Sequence, residues 1–390
     1  MRTRCDRLRE IGSIGVERLG ALADAQADPE LLRLENLDTD IRPWPAALEE
    51  THRSIDADAA NSYLPFVGQE ALRRSATAHV SRMSGVQYDW RRSCVISAGG
   101  LNGILNVLLA TLDPGDQVVL TDPVYAGLLN RVRLAGGRPR LAKLIPHVSK
   151  GWRADLDEFR TAVRSSRVRA VLMMSPSMPT GCVLTADEWK QIADACVQSD
   201  VLLIYDAAME RILFDEREVI HPASLPGMAE RTVTVGSASK ELRMIGWRVG
   251  WIVGPEWLMP DVALVSLANV VSQVGIGMSG VTTAMEAPAS DLTKAVVEWQ
   301  KRRDVVLSEL DGLIPAIPSH GGWSLLVDAG ALGMSAKELS ERLLLRAKIA
   351  ATPMEGWGGP NTSRYLRLVY ANESCERLST VRQRAKRALD

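Results

Sequence analysis

Between residues 94 and 253 the chain carries six short runs of mostly apolar residues, at 94–97, 117–121, 169–175, 201–206, 231–236 and 248–253, with helical patterns between them. A strand wetted on one face alternates apolar and polar residues. A near-continuous apolar run is what a parallel strand requires when helices cover both faces. The alternation therefore predicts an α/β fold built on a mostly parallel sheet flanked by helices. The helix after Thr185 shows the local logic: Trp189, Ile192, Ala193, Cys196 and Val197 form one stripe, and Thr185 with Glu188 has the spacing of a capping box. Ser335 and Glu338 repeat that signal ahead of Leu339, Leu343 and Leu344.

From 291 to about 313 the pattern predicts one long helix leaving the sheet. Beyond it come a Gly-rich approach to a strand at 323–327, a helix, and a strand-like run at 365–370. This predicts a smaller α+β unit at 291–390, joined by the N-terminal segment 1–50, beside a large domain at 51–290. With 46% hydrophobic residues the chain has material for a large core. Its 46 Lys+Arg against 47 Asp+Glu argue against nucleic acid held by general electrostatics. Five scattered cysteines without paired spacing read as reduced thiols and not as a metal site. No run of 18 apolar residues and no signal-peptide pattern appears, so the expectation is a cytoplasmic protein without a membrane span or metal.

In open α/β sheets ligands bind beyond the carboxyl ends of the strands. The first run ends in Ser97-Ala-Gly99-Gly100-Leu101 and enters an apolar helix, whose crowded N–H groups make an anion site. The second ends at Tyr125, which places a ring on the sheet edge. The fourth ends in Asp206, a carboxylate that needs a cationic partner where it is buried. The fifth runs into Ser237-Ala-Ser239-Lys240, followed eight positions later by Arg248 at a Gly-flanked strand start. A lysine among small residues beside such an arginine suggests an amine nucleophile next to a phosphate clamp.

These blocks, taken in order from about Leu32 onward, resemble the class I/II aminotransferases, fold-type I pyridoxal-phosphate enzymes related to aspartate aminotransferase. The resemblance implies a large domain with a seven-stranded-type sheet and a transfer of the amino group between an α-amino acid and a 2-oxo acid. Lys240 would hold pyridoxal 5′-phosphate as a Schiff base and shuttle the proton, and Asp206 would pair with the pyridinium nitrogen. Gly99, Gly100, Leu101, Ser237, Ser239 and Arg248 would form the phosphate cup, and Tyr125 would stack on the ring. Tyr63 would reach the phosphate of a neighbouring subunit, which implies a homodimer. Arg367 matches the arginine that grips the substrate α-carboxylate, a bidentate task that lysine does poorly. Asn36 falls where relatives carry a glycine that contacts substrate.

Two positions depart from the pattern. Met178 and Met209 stand where the family has an asparagine and a tyrosine that donate to the cofactor's O3′ oxygen; methionine donates nothing. Either a hydroxyl from Ser177 or Tyr205, or a water, replaces them, or the oxygen lacks protein donors and the protonated yellow form persists to higher pH. The departure leaves β/γ-elimination, oxidation or racemisation as alternative reactions, and a non-catalytic effector-binding protein as a further one. Arg42, Trp44, His320, Trp323 and Trp357 belong to segments expected at the entrance.

Overall fold

The computed structural model of the protein describes Cys5 and residues 8–390. Eight strands form the large sheet: β1 (Cys94–Ser97), β2 (Gln117–Asp122), β3 (Arg138–His147), β4 (Gly151–Ala154), β5 (Val168–Met174), β6 (Leu202–Asp206), β7 (Thr232–Ser237) and β8 (Gly250–Val253). Their spatial order is β1-β8-β7-β6-β5-β2-β3-β4. β2, β3, β5, β6 and β7 are mutually parallel, while β8 runs antiparallel to both β1 and β7.

The α/β expectation holds, and the apolar runs behave as parallel strands should. Along β5, Val171 and Met173 pack into one core with Trp189, Ile192 and Cys196, while Ala170 and Leu172 pack into another with Ile104, Val107 and Val132. Burial on both faces is why those runs lack polar alternation. The sheet has one strand more than the expected seven. β4 returns antiparallel along β3 through Leu144↔Ala154 to His147↔Gly151. The sequence did not announce this hairpin, because the distal half of β3 is largely exposed and mixes Lys143, Pro146 and His147 with two apolar residues.

The capping box at Thr185 is complete in both directions. The one at Ser335 is half formed: Ser335 accepts from the Glu338 N–H, but Glu338 turns outward to Arg342 at 3.0 Å. The long helix runs Ala289–Leu310. Past it, a separate antiparallel sheet orders Ala316–Ile317, Ser324–Asp328, Tyr365–Val369 and Thr352–Pro353. The N-terminal chain joins this part: Leu32–Arg33 pairs parallel with Ile349–Ala350, and the Val369 N–H donates to Leu34 O at 2.8 Å. Among the described residues no helix is long and apolar enough to cross a membrane.

Candidate active site

The antiparallel direction of β8 explains how distant residues meet. β1, β2, β6 and β7 deliver their C-terminal ends to one edge, and β8 begins there, so Arg248 just before it lies at the same edge as Ser97, Asp206 and Ser237. Helix Gly100–Thr111 points its N-terminus into this edge. Gly99 adopts φ +85°, and a Cβ there would sit 2.5 Å from Arg248 Nη2. Only glycine combines that backbone with that closeness. Ser237 Oγ lies 2.9 Å from Ser239 Oγ, and Arg248 Nη1 donates to Ser239 Oγ at 3.3 Å and to Ile245 O at 2.8 Å. Arg248 is itself held at φ +54°. A non-glycine residue pays about 1–3 kcal/mol for such a conformation, and functional sites are where that cost tends to be carried. Helix N-terminus, two hydroxyls and a guanidinium make a cradle for a dianion.

Next to the cradle, Lys240 and Asp206 line one cavity of about 260 Å³. Lys240 Nζ donates to Leu37 O at 2.9 Å and lies 4.7 Å from the Trp323 ring centroid. Burial pulls its ammonium down to about 7; Arg367 and Arg248 act in the same direction, against Asp38 and Asp206. A neutral amine is the nucleophilic form, so this lysine is available near neutral pH. Burial pushes the Asp206 carboxyl up to about 6, opposed by the Ala208 N–H at 3.1 Å and by the charges of Arg131 and Lys240. A carboxylate so placed gains by meeting a further cation. Tyr125 opens helix Ala126–Leu134, and its ring meets Trp357 at 5.3 Å between centroids.

The far end of the cavity is set by Arg367, on an inner strand of the small sheet and 1% exposed. Its guanidinium stacks 4.8 Å from the Trp357 centroid and donates to Glu35 O, to Thr352 Oγ1 at 3.4 Å and to Met178 Sδ at 3.7 Å. Its Nε is buried with no partner. Burial lowers its pKa to about 10, so it remains charged at neutral pH. An arginine desolvated this far and incompletely bonded is a receptor for a carboxylate.

Gly100, Leu101, Tyr125, Met178, Asp206, Met209, Ser237, Ser239, Lys240, Arg248, Arg367 and Asn36 all line this one cavity. Gly99 flanks it. Tyr63 does not join it: the side chain is 84% exposed and lies outside the cavity lining. Both methionines face the cavity, and neither alternative hydroxyl does. The Tyr205 hydroxyl donates to Ser175 O at 3.2 Å, with its ring packed between Trp189 and His221. Of the entrance candidates, none lines the cavity. Trp323 and Trp357 buttress Lys240 and Arg367 from behind. The Arg42 side chain is exposed, and His320 packs against Gly151 on β4. Sequence reasoning missed Ile14, Val16 and Leu37, which also line the cavity. Trp357 Nε1 fixes that segment by donating to Ile14 O at 3.0 Å. Arg131, held by Leu101 O and Gly127 O at 2.8 Å each, was also missed. An arginine on an otherwise apolar helix face beside the glycine loop was the available signal.

The sequence profile of the family described as aminotransferase class I and II matches residues 33–384. Among curated proteins, the chain is 32% identical to arginine–pyruvate transaminase AruH of Pseudomonas aeruginosa over 370 residues, which covers 92% of each. It is 27% identical to the aspartate aminotransferase of Pyrococcus abyssi over 98% of this chain and 97% of the other. Among solved structures, N-succinyldiaminopimelate aminotransferase from Mycobacterium tuberculosis superposes with a TM-score of 0.92 at 27% identity, over 100% of both chains. Aspartate aminotransferase from Thermus thermophilus with maleate gives 0.91 at 26%, also over 100% of both.

Proposed function

Since the chain belongs to the class I and II aminotransferases, a family that uses pyridoxal 5′-phosphate, we propose that it holds this cofactor on Lys240 within the cavity described above. The chain is a transaminase; the cofactor's attachment and the individual residue roles are the proposal. The residues fit the group. The Gly99–Arg248 cradle suits a phosphate, Tyr125 offers a ring face, Asp206 supplies the buried carboxylate, and Lys240 supplies a nucleophilic amine. When bound, the cofactor supplies a carbonyl to receive the amino group and a conjugated ring to delocalise the electron pair left on the substrate α-carbon.

The chain's own groups do the rest. Arg367 orients the amino acid by its carboxylate, which fixes the α-hydrogen relative to Lys240 Nζ. Lys240, poised near neutrality, takes the α-proton and returns it. Asp206 stays ionised beside a ring cation and holds a proton there. The observation that carries this reading is one cavity holding a depressed lysine, a raised carboxylate and an incompletely bonded arginine. The test is the half-reaction: the yellow holoenzyme mixed with an amino acid in the absence of oxo acid should bleach to the aminated form and recover its colour with pyruvate or 2-oxoglutarate. Catalytic ammonia release without bleaching would refute transamination at this site.

Three finer readings accompany it. The large domain spans 51–290 and the small domain 291–390 with the segment 1–50. The enzyme is a homodimer in which Tyr63 reaches its neighbour's phosphate: this ring is exposed, as are Phe66, Val271 and Val274, and the Leu64 N–H joins the two loops through Ser272 Oγ at 3.3 Å. A monomer in sedimentation with full turnover would exclude the dimer. Five unpaired thiols suit the reducing cytoplasm, which cell fractionation checks.

Met178 and Met209 leave the ring oxygen of the cofactor without a side-chain donor from either position. Met209→Tyr restores one, favours the anionic oxygen, and should lower the pH at which the yellow band of the holoenzyme titrates by about 1 unit. An unchanged titration midpoint would show that another donor already serves that oxygen.

A further inference from the structure

A second, smaller cavity of about 30 Å³ lies behind the site, lined among others by His79, Glu210, Arg211, Ser237, Glu241 and Trp251. Glu210 closes the turn that leaves Asp206: the Ala208 N–H donates to Asp206 Oδ1 at 3.1 Å, and the Glu210 N–H to Ala207 O at 3.3 Å. Ser237 ends β7 and lines both cavities. Glu241 is the chain neighbour of Lys240. The small cavity therefore backs all three stretches that carry Asp206, Ser237 and Lys240. Trp251, on β8, pairs with Gly236, and its indole Nε1 covers that glycine so closely that a Cβ would collide with it.

Arg211 and Glu241 satisfy each other, with Nε donating to Oε2 at 2.6 Å and the backbone N–H to Oε1 at 2.8 Å. His79, on helix Glu70–Ser84, meets Glu210 Oε1 at 2.9 Å. Among the described residues, Glu210 Oε2 and Trp251 Nε1 are both buried without a hydrogen-bond partner, which is costly for either. Glu210 is 2% and Trp251 5% exposed within one chain, so a neighbouring subunit does not reach them. Burial lowers the His79 pKa to about 4, which leaves its ring neutral at pH 7, and pushes the Glu210 carboxyl up. An ionised Oε2 needs a donor, a protonated one an acceptor, and the indole N–H an acceptor; water meets all three needs. The volume holds about one or two waters. Arg82 and Arg211 on the same walls disfavour a cation, and Glu210 and Glu241 disfavour an anion.

We propose that this cavity is an internal water site in which a water accepts from Trp251 Nε1 and bonds Glu210 Oε2, and that Glu210 and Trp251 are thereby positioning residues for the cofactor pocket. The bridge ties the turn after Asp206 to the strand end that carries Ser237. Met209 donates nothing toward the cavity in front, so contacts behind the turn carry more of its placement. The positioning role rests on the cofactor reading above; the water site does not.

Crystals of the wild-type holoenzyme test the water directly. An ordered peak is expected at about 2.7–3.2 Å from both Trp251 Nε1 and Glu210 Oε2. An empty cavity, at a resolution that shows other buried waters, overturns the site. An anomalous peak there after a rubidium soak makes it a cation site and overturns the assignment as well. Cofactor affinity reads the positioning role. Glu210→Leu should weaken equilibrium binding of pyridoxal 5′-phosphate about 10-fold and lower kcat about 10-fold, with KM for the amino acid nearly unchanged. Glu210→Gln, which keeps the shape and a partner for the water, should restore both to within about 3-fold. Lower thermal stability of Glu210→Leu with unchanged cofactor affinity would make Glu210 a residue of the fold alone. If Glu210→Leu does not fold, Trp251→Phe removes only the indole donor while keeping a ring, and should weaken cofactor binding about 3-fold; unchanged binding overturns the role. The water peak in a wild type that binds no cofactor would refute the function proposed above and leave the water site standing.

Discussion

Replacing Lys240 by methionine is expected to abolish turnover, by about 10⁴-fold, while making the cofactor-free protein more stable at pH 6. On the proposed roles, the variant loses both the amine that would take the carbonyl and the base that would move the α-proton. The gain follows from linkage. Burial lowers the Lys240 pKa from 10.5 to about 7 in the folded chain. Between those values the unfolded chain binds the proton that the folded chain releases, so the stability of the wild type rises with pH across that window. Below about 7 the whole penalty is present, and above about 10.5 it is gone. Methionine fills the same space without that charge, so its advantage should be about 1–3 kcal/mol at pH 6 and vanish as the pH approaches 10. Denaturant unfolding of both apoproteins at several pH values measures it. An advantage independent of pH would mean that shape, and not desolvated charge, distinguishes the two side chains.

Arg367→Gln should have the second-largest effect. The guanidinium is 1% exposed, and its Nε awaits a partner, so a bound carboxylate meets a charge that has already lost its water. Truncating one side of such a pair costs about 2–5 kcal/mol, or about 30- to 4,000-fold in kcat/KM for an amino acid. Most of this should appear in KM, because the grip exists before and during reaction. A simple alkylamine has no carboxylate to lose, so its slow reaction should be unchanged. If amine and amino acid suffered equally, Arg367 would be supporting the fold and not holding the substrate.

How much of this was legible beforehand depended on distance along the chain. Strand-end residues such as Asp206, Ser237 and Tyr125 were readable, because an apolar run announces the strand and the sheet rule says where its end points. Arg367 was readable only through resemblance, since nothing local distinguishes it from other strand arginines. Ile14, Val16 and Leu37 carried no local signal. Ile14 and Leu37 are held at the cavity by carbonyls that accept from Trp357 and Lys240, contacts that pattern cannot reveal. Arg42 and His320 illustrate the converse, being chemically suggestive side chains that point elsewhere. The β3–β4 hairpin failed for another reason: its exposed half never had to be apolar.

The hydrogen bonds that close the cavity also set when it can exist during synthesis. Lys240 to Leu37 spans 203 positions, Arg367 to Glu35 spans 332, and Trp357 to Ile14 spans 343. Loop closure over such lengths comes later than the sheet pairings, whose most distant partners, Cys94 and Val253, are closer in sequence. A nascent chain still short of residue 367 can therefore complete the cradle proposed for the phosphate but lacks the arginine proposed to take the substrate. Colour would then appear on a ribosome-bound fragment before catalysis does, and the order of the two would time the docking of the chain's two ends.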